Sequence, residues 1–235
     1  WALVIDVQGK VREDHIPEEK PALSMNLKKF EHFNREGQAR TTATVDMSQM
    51  TLMQLSYFDT TSGVSGTNLD LCNNFGKEVT DCNITREKTG FVVPDHYRIN
   101  ATLTNLRPLE NLSGQHVYKP AFMGERWDGL MNYRRNGQLA DLYLGDPEKL
   151  TYDITLSGAK VGKEINTCTV NSPWFDVELS GKRSKGEYRY LYTVTQKHSW
   201  LSHDDIISAP FEAMLKDARN CNEQMLQVVQ LNTKA

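Results

Sequence analysis

The chain has 235 residues, 39% of them hydrophobic, and a mean hydropathy of −0.55. Its net charge is −3, from 27 basic and 30 acidic residues, so it lacks the basic excess of a nucleic-acid binder. No apolar run reaches the roughly 20 residues that a membrane-spanning helix needs, and nine Tyr, eight Phe and four Trp supply a modest core, which argues against disorder.

Residues 2–7 (ALVIDV) read as a strand ended by Gly9, and Pro17 and Pro21 break the charged segment that follows. Over residues 41–58 two periods compete. Met53, Leu55 and Tyr57 alternate with Gln54 and Ser56 as on a strand, whereas Met47, Met50 and Gln54 would share a helix face. β-Branched residues tip the first half to strand, and the three methionines read as core filling. Residues 59–90 are rich in Gly, Ser, Thr, Asn and Asp and read as a long loop. Tyr97, Ile99, Ala101 and Leu103 then alternate with polar residues, giving a strand with one buried face. Residues 105–124 carry Pro108, Gly114 and Pro120 without any period. They mark the expected boundary between an N-terminal β-rich lobe, 1–108, and a C-terminal lobe, 120–235.

In the second lobe Asn136-Gly137 is the signature of a two-residue hairpin turn, because a type I′ turn needs positive φ at both positions. Pairing outward sets Tyr133 against Ala140 and Met131 against Leu142. Three more alternating sets follow: Tyr152, Ile154 and Leu156; Phe175, Val177 and Leu179; and Tyr188, Tyr190, Tyr192 and Val194. The period then changes. Residues 208–230 predict one amphipathic helix, with Pro210 in its first turn, Glu212 at its positive end, and a stripe through Phe211, Met214, Ala218, Cys221, Met225 and Val229. The fold class is therefore mainly β, with antiparallel sheets arranged as a sandwich or barrel-like body and a long C-terminal helix packed on the second lobe.

Four cysteines lack the paired C-x2-C spacing of structural zinc sites, and no C-x-x-C redox motif occurs. Their even number suits two disulfides. Cys72–Cys82 closes a short turn-rich loop, and Cys168–Cys221 ties a strand to the core-facing stripe of the helix. The expected location is extracytoplasmic, periplasmic or secreted. Asn83, Asn100 and Asn111 each begin an N-x-S/T sequon and are glycosylation acceptors only if the chain is eukaryotic.

Three functions follow, in order. The first is a non-enzymatic component of an envelope or extracellular assembly, with other protein chains as partners and no cofactor. Its expected anchors are Trp127, Tyr133, Arg134 and Arg135, residue types favoured at interfaces, set on or near the hairpin. The second is a small-ligand carrier whose cavity wall is the Tyr188, Tyr190 and Tyr192 strip. The third is a metal-dependent hydrolase using His198, His203, Asp204 and Asp205. Their spacing matches neither a helix face nor a strand face and better suits a surface loop before a helix. The stretch GAKVGKE, 158–164, is one residue short of a phosphate loop and has Glu164 where Ser or Thr is needed, so it reads as a turn.

Overall fold

The computed structural model describes residues 2–5, 10–14, 20–89, 96–120, 125–137, 140–162, 165 and 167–231. The chain begins with a ribbon of β1 (Ala2–Ile5) and β2 (Val11–Asp14). It continues through β3 (Ala22–Phe33), β4 (Ala39–Met47), α1 (Gln49–Phe75), β5 (Val79–Thr89) and β6 (His96–Asn105). Next come β7 (Leu109–Leu112), β8 (Gln115–Tyr118), α2 (Glu125–Arg135), β9 (Leu142–Tyr143), β10 (Glu148–Ser157) and β11 (Ala159–Val161). The last part holds β12 (Cys168–Asn171), β13 (Phe175–Ser184), β14 (Glu187–Gln196), β15 (Trp200–Leu201), α3 (His203–Ile207), α4 (Ala209–Glu223) and β16 (Gln227–Leu231). The protein is mainly β with largely antiparallel sheets. The sheets are open and do not close into a barrel.

The body is an eight-stranded sheet in the order β12-β13-β14-β10-β3-β4-β6-β5, shared by strands from residues 1–108 and from 120–235. Every neighbouring pair is antiparallel except β3 with β10, which is parallel. Period-2 alternation sends one set of side chains inward. Ala39, Thr41, Ala43, Val45 and Met47 are the buried set of β4, and Tyr188, Tyr190, Tyr192 and Val194 are that of β14.

Half of this inner face is covered by α2, α4 and a four-stranded sheet, β11-β16-β8-β7. Ser208 caps α4 by accepting from the Phe211 N–H, and Pro210 sits where a missing donor costs nothing. Phe211, Met214, Ala218 and Cys221 face the core as the helical stripe requires. The helix stops at Glu223, however, short of the expected Gln230. Met225 and Val229 are buried as their spacing implied, yet Val229 lies on β16, paired with both Val161 and His116. Two partner strands outweigh the continuation of the helical period.

Two further expectations are corrected. The stretch read as a loop instead holds most of α1, through Phe75, and all of β5, Val79–Thr89. The helix kinks at Gly63, whose φ is 72°. Its threonines do not break it, because Thr60, Thr61 and Thr67 return their hydroxyls to the carbonyls of Ser56, Tyr57 and Gly63. Asn136-Gly137 is likewise not a hairpin turn. Trp127, Leu130, Met131 and Arg134 recur at helical spacing and form α2, and Gly137 (φ 62°) terminates it by donating to the Arg134 carbonyl. An αL glycine serves a helix end as readily as a type I′ turn. Among the described residues no helix is long and apolar enough to cross a membrane.

Candidate functional site: a groove with a buried polar end

The other half of the inner face is roofed by α1. Cys72 is bonded to Cys82 on β5, with Cα atoms 6.2 Å apart, which ties the C-terminal limb of α1 to the sheet edge. Beneath α1 runs a groove of about 740 Å³, within the roughly 300–1,000 Å³ span of small-molecule sites. Its floor is apolar: Met25 and Leu27 of β3, Val45 of β4, Ile99 of β6 and Ile154 of β10. Leu55, Phe58 and Phe75 line it from the helix, with Asp70, Asn73 and Asn74 exposed at its rim.

The end of the groove nearest the rest of the core is polar. Lys29 and Tyr118 line it. Lys29 and Glu31 are two residues apart on β3 and therefore share the inward face. Lys29 Nζ lies 2.5 Å from Glu31 Oε1, and the side chains are 9% and 0% exposed. The hydroxyl of Thr41, which stands opposite Glu31 in the register, is buried without a hydrogen-bond partner among the described residues. The Tyr118 hydroxyl lies within hydrogen-bonding reach of the Tyr190 hydroxyl and of the Glu31 carboxylate, and all three groups are closed to solvent. Burial, reinforced by the Glu31 carboxylate, raises both phenols well above the ordinary tyrosine value. Phe33 packs edge-on to Tyr118 at 6.2 Å and closes the space behind.

The residues singled out in the sequence lie elsewhere. Trp127 is 1% exposed and donates its indole N–H to the Tyr192 hydroxyl at 2.9 Å, so it is core and not an anchor. Tyr133 donates to the Ala140 carbonyl at 3.1 Å. Arg134 is turned inward, bonded to the Ile206 carbonyl and to Glu212 at 2.8 Å, whereas Arg135 is exposed. The tyrosine strip does not line the groove. Tyr188 is 2% exposed and accepts the Ile165 N–H at 2.7 Å, and Tyr192 is buried beside Tyr152. Only Tyr190 comes near the groove, from behind.

His203, Asp204 and Asp205 form the first turn of α3, where Ser202 caps the helix by accepting from the Asp205 N–H. The acids thus meet the helix dipole. The His203 backbone N–H donates to Asp141, and His198 lies upstream, beyond β15. Among the described residues no three His, Cys, Asp or Glu side chains group as a metal site. Asn83 and Asn111 are exposed on β5 and β7, while Asn100 accepts from Thr44 at 3.0 Å on the outer face of β6. Cys168 and Cys221 are bonded, with Cα atoms 5.7 Å apart, as their places on strand and helix suggested.

Lys29, Glu31 and Tyr118 were missed. One signal existed. Leu27, Lys29, Glu31 and Phe33 alternate, so a charged pair sits on a strand face bracketed by Leu and Phe. Comparison with protein families, curated proteins and solved structures found no match to this chain.

Proposed function

We propose that this is an extracytoplasmic protein that binds a small, mainly apolar molecule in the groove under α1. The observation that carries this reading is an apolar groove of about 740 Å³ beneath α1, with Lys29 and Tyr118 as polar groups at one end. Small-molecule sites are typically clefts of this size, lined mainly by hydrophobic side chains with a few polar groups that fix orientation. The two disulfides support an oxidising compartment. Periplasm and extracellular space fit equally.

The test is native mass spectrometry and lipid extraction of the freshly purified protein, beside Val45→Trp, which fills the groove floor. A co-purifying molecule retained by the parent and lost from a folded Val45→Trp protein supports the reading. A ligand bound equally by both places it elsewhere.

The assembly reading loses the hairpin but gains another surface. Tyr57, Val64 and Leu69 of α1 are 66%, 53% and 63% exposed. Large apolar side chains exposed on both limbs of α1 are a feature that a partner chain would cover. Replacing these three with Ser, and measuring chain mass in solution and complexes captured from the native source, separates this role from ligand carriage.

A further inference from the structure

We infer that the groove takes an amphiphile head first and selects one with a carboxylate head, set against Lys29, over one with a neutral or cationic head. This rests on the groove being a ligand site.

The register lays out the inner face beneath α1 in rows. Lys29 stands beside Ala43 of β4 and Ile154 of β10. The next row toward the start of β3 is Leu27, Val45 and Ile99, and the one after it sets Met25 against Met47. Both rows are apolar, so charge enters this floor at one end only. Among the described residues Lys29 is the one cation lining the groove, with its side chain 9% exposed. The one lining acid, Asp70, is exposed at the rim. From Met25 to Lys29 the floor runs about 13 Å at the usual rise per residue, the reach of a medium-length alkyl chain.

Glu31 meets Lys29 from behind, fully buried and outside the groove lining. That pairing offsets the cost of burying the ammonium without using it up. One carboxylate oxygen takes one of its three N–H donors, and the others can serve an acceptor on the groove side. A carboxylate head there touches the ammonium directly, while Glu31 stays on the far side. Coulomb energy falls with distance, so the near attraction outweighs the far repulsion. An alcohol head can accept the same hydrogen bond, but a neutral acceptor makes a weaker one. An ammonium head meets a like charge at the inner end. At the rim it finds only an acid in water, where an ion pair contributes little.

The experiment is calorimetric titration of the oxidised full chain at neutral pH with dodecanoate, dodecanol and dodecylammonium. Dodecanoate is expected to bind at least about tenfold tighter than dodecanol, with dodecylammonium weakest. Lys29→Arg keeps the charge and should keep that order. Lys29→Met combined with Glu31→Gln removes both charges together, so no buried charge is left unpaired. It should bring dodecanoate to the affinity of dodecanol or below. Dodecanol binding to the parent as tightly as dodecanoate overturns the inference, and that ranking needs no variant to fold. A folded double variant that still prefers dodecanoate overturns it too. If the parent shows no preference and Val45→Trp abolishes both, the groove stands and only the head preference falls. If none of the three binds, or if Val45→Trp has no effect, the groove reading falls and the inference with it.

Discussion

Arg86 on β5 grips Asp59 on α1 with one nitrogen. Its Nη1 lies 2.8 Å and 2.7 Å from the two carboxylate oxygens, with side chains only 10% and 16% exposed. Its Nε donates to Asn68 at 2.8 Å. Asp59 precedes the Gly63 kink and Asn68 follows it, so a single guanidinium fixes both limbs of the groove's roof.

Arg86→Leu should therefore destabilise the protein by about 2–4 kcal/mol, since it leaves a largely buried carboxylate unpaired. Hydrogen exchange should rise along the described part of α1 well before global unfolding. Uniform loss of protection across the whole protein would mean that α1 has no separate stability.

Arg134 and Arg135 are neighbours with opposite fates. Arg134→Glu sets an acid against Glu212 and strands the Ile206 carbonyl. It should cost about 2–3 kcal/mol in a urea titration. Arg135→Glu changes an exposed position and should stay within about 0.5 kcal/mol. Equal effects would contradict the inward course of Arg134.

Gly158 has φ 76°, and a Cβ there would lie 2.2 Å from the Phe33 carbonyl oxygen. Backbone cannot yield as a flexible side chain can. Gly158→Ala should lose about 2 kcal/mol or more, beyond the αL penalty alone. A melting temperature within a degree of the parent's would show that the β10–β11 corner relaxes freely.

Burial raises the Tyr192 phenol to about 12 from its usual 10.0, although the Trp127 hydrogen bond pulls the other way. A raised folded value means that the folded state holds the proton more tightly. This contribution is complete below about pH 10 and is lost as pH climbs through about 12. Alkaline unfolding should thus steepen over that window, followed by tyrosinate absorbance, and Tyr192→Phe should shift its onset upward. No shift would remove Tyr192 from the account.

The disulfides close loops with sequence separations of 10 and 53. The chain-entropy estimate gives about 2–3 kcal/mol for Cys72–Cys82 and about 4 kcal/mol for Cys168–Cys221. Paired Cys→Ser variants should reproduce that order in denaturant midpoints. Non-reduced peptide mapping should join the same pairs, and four free thiols in protein kept from air would remove the compartment assignment.

What could be read from the sequence was whatever repeats along one element, such as the buried stripe of α4. Tyr97 to Leu103 and Tyr188 to Val194 each bury one face, and alternation alone reveals that. The α1 segment was lost because its Ser and Thr hydroxyls satisfy themselves inside the helix, so composition mimics a loop. The Asn136-Gly137 pair misled because a positive-φ glycine is common to two structures. The groove's polar end was out of reach for a different reason. Tyr190 comes near Glu31 because β14 flanks β10, which pairs in parallel with β3, and Tyr118 comes from a strand of the other sheet, and no local pattern announces either.

That parallel seam has a consequence for biogenesis. The Ser157 hydroxyl meets the Glu31 carbonyl across 126 positions of sequence, and neither disulfide spans the join. Contacts between such distant segments form late and slowly. A chain emerging from its N-terminus can complete β3, β4, β5, β6 and the first disulfide while one edge of β3 stays open. Open strand edges recruit other strands, and charged residues discourage it. Lys28, Lys29 and Glu31 stand on that edge until β10 arrives. The pair that ends buried beside the groove can thus guard the half-made sheet against its own copies.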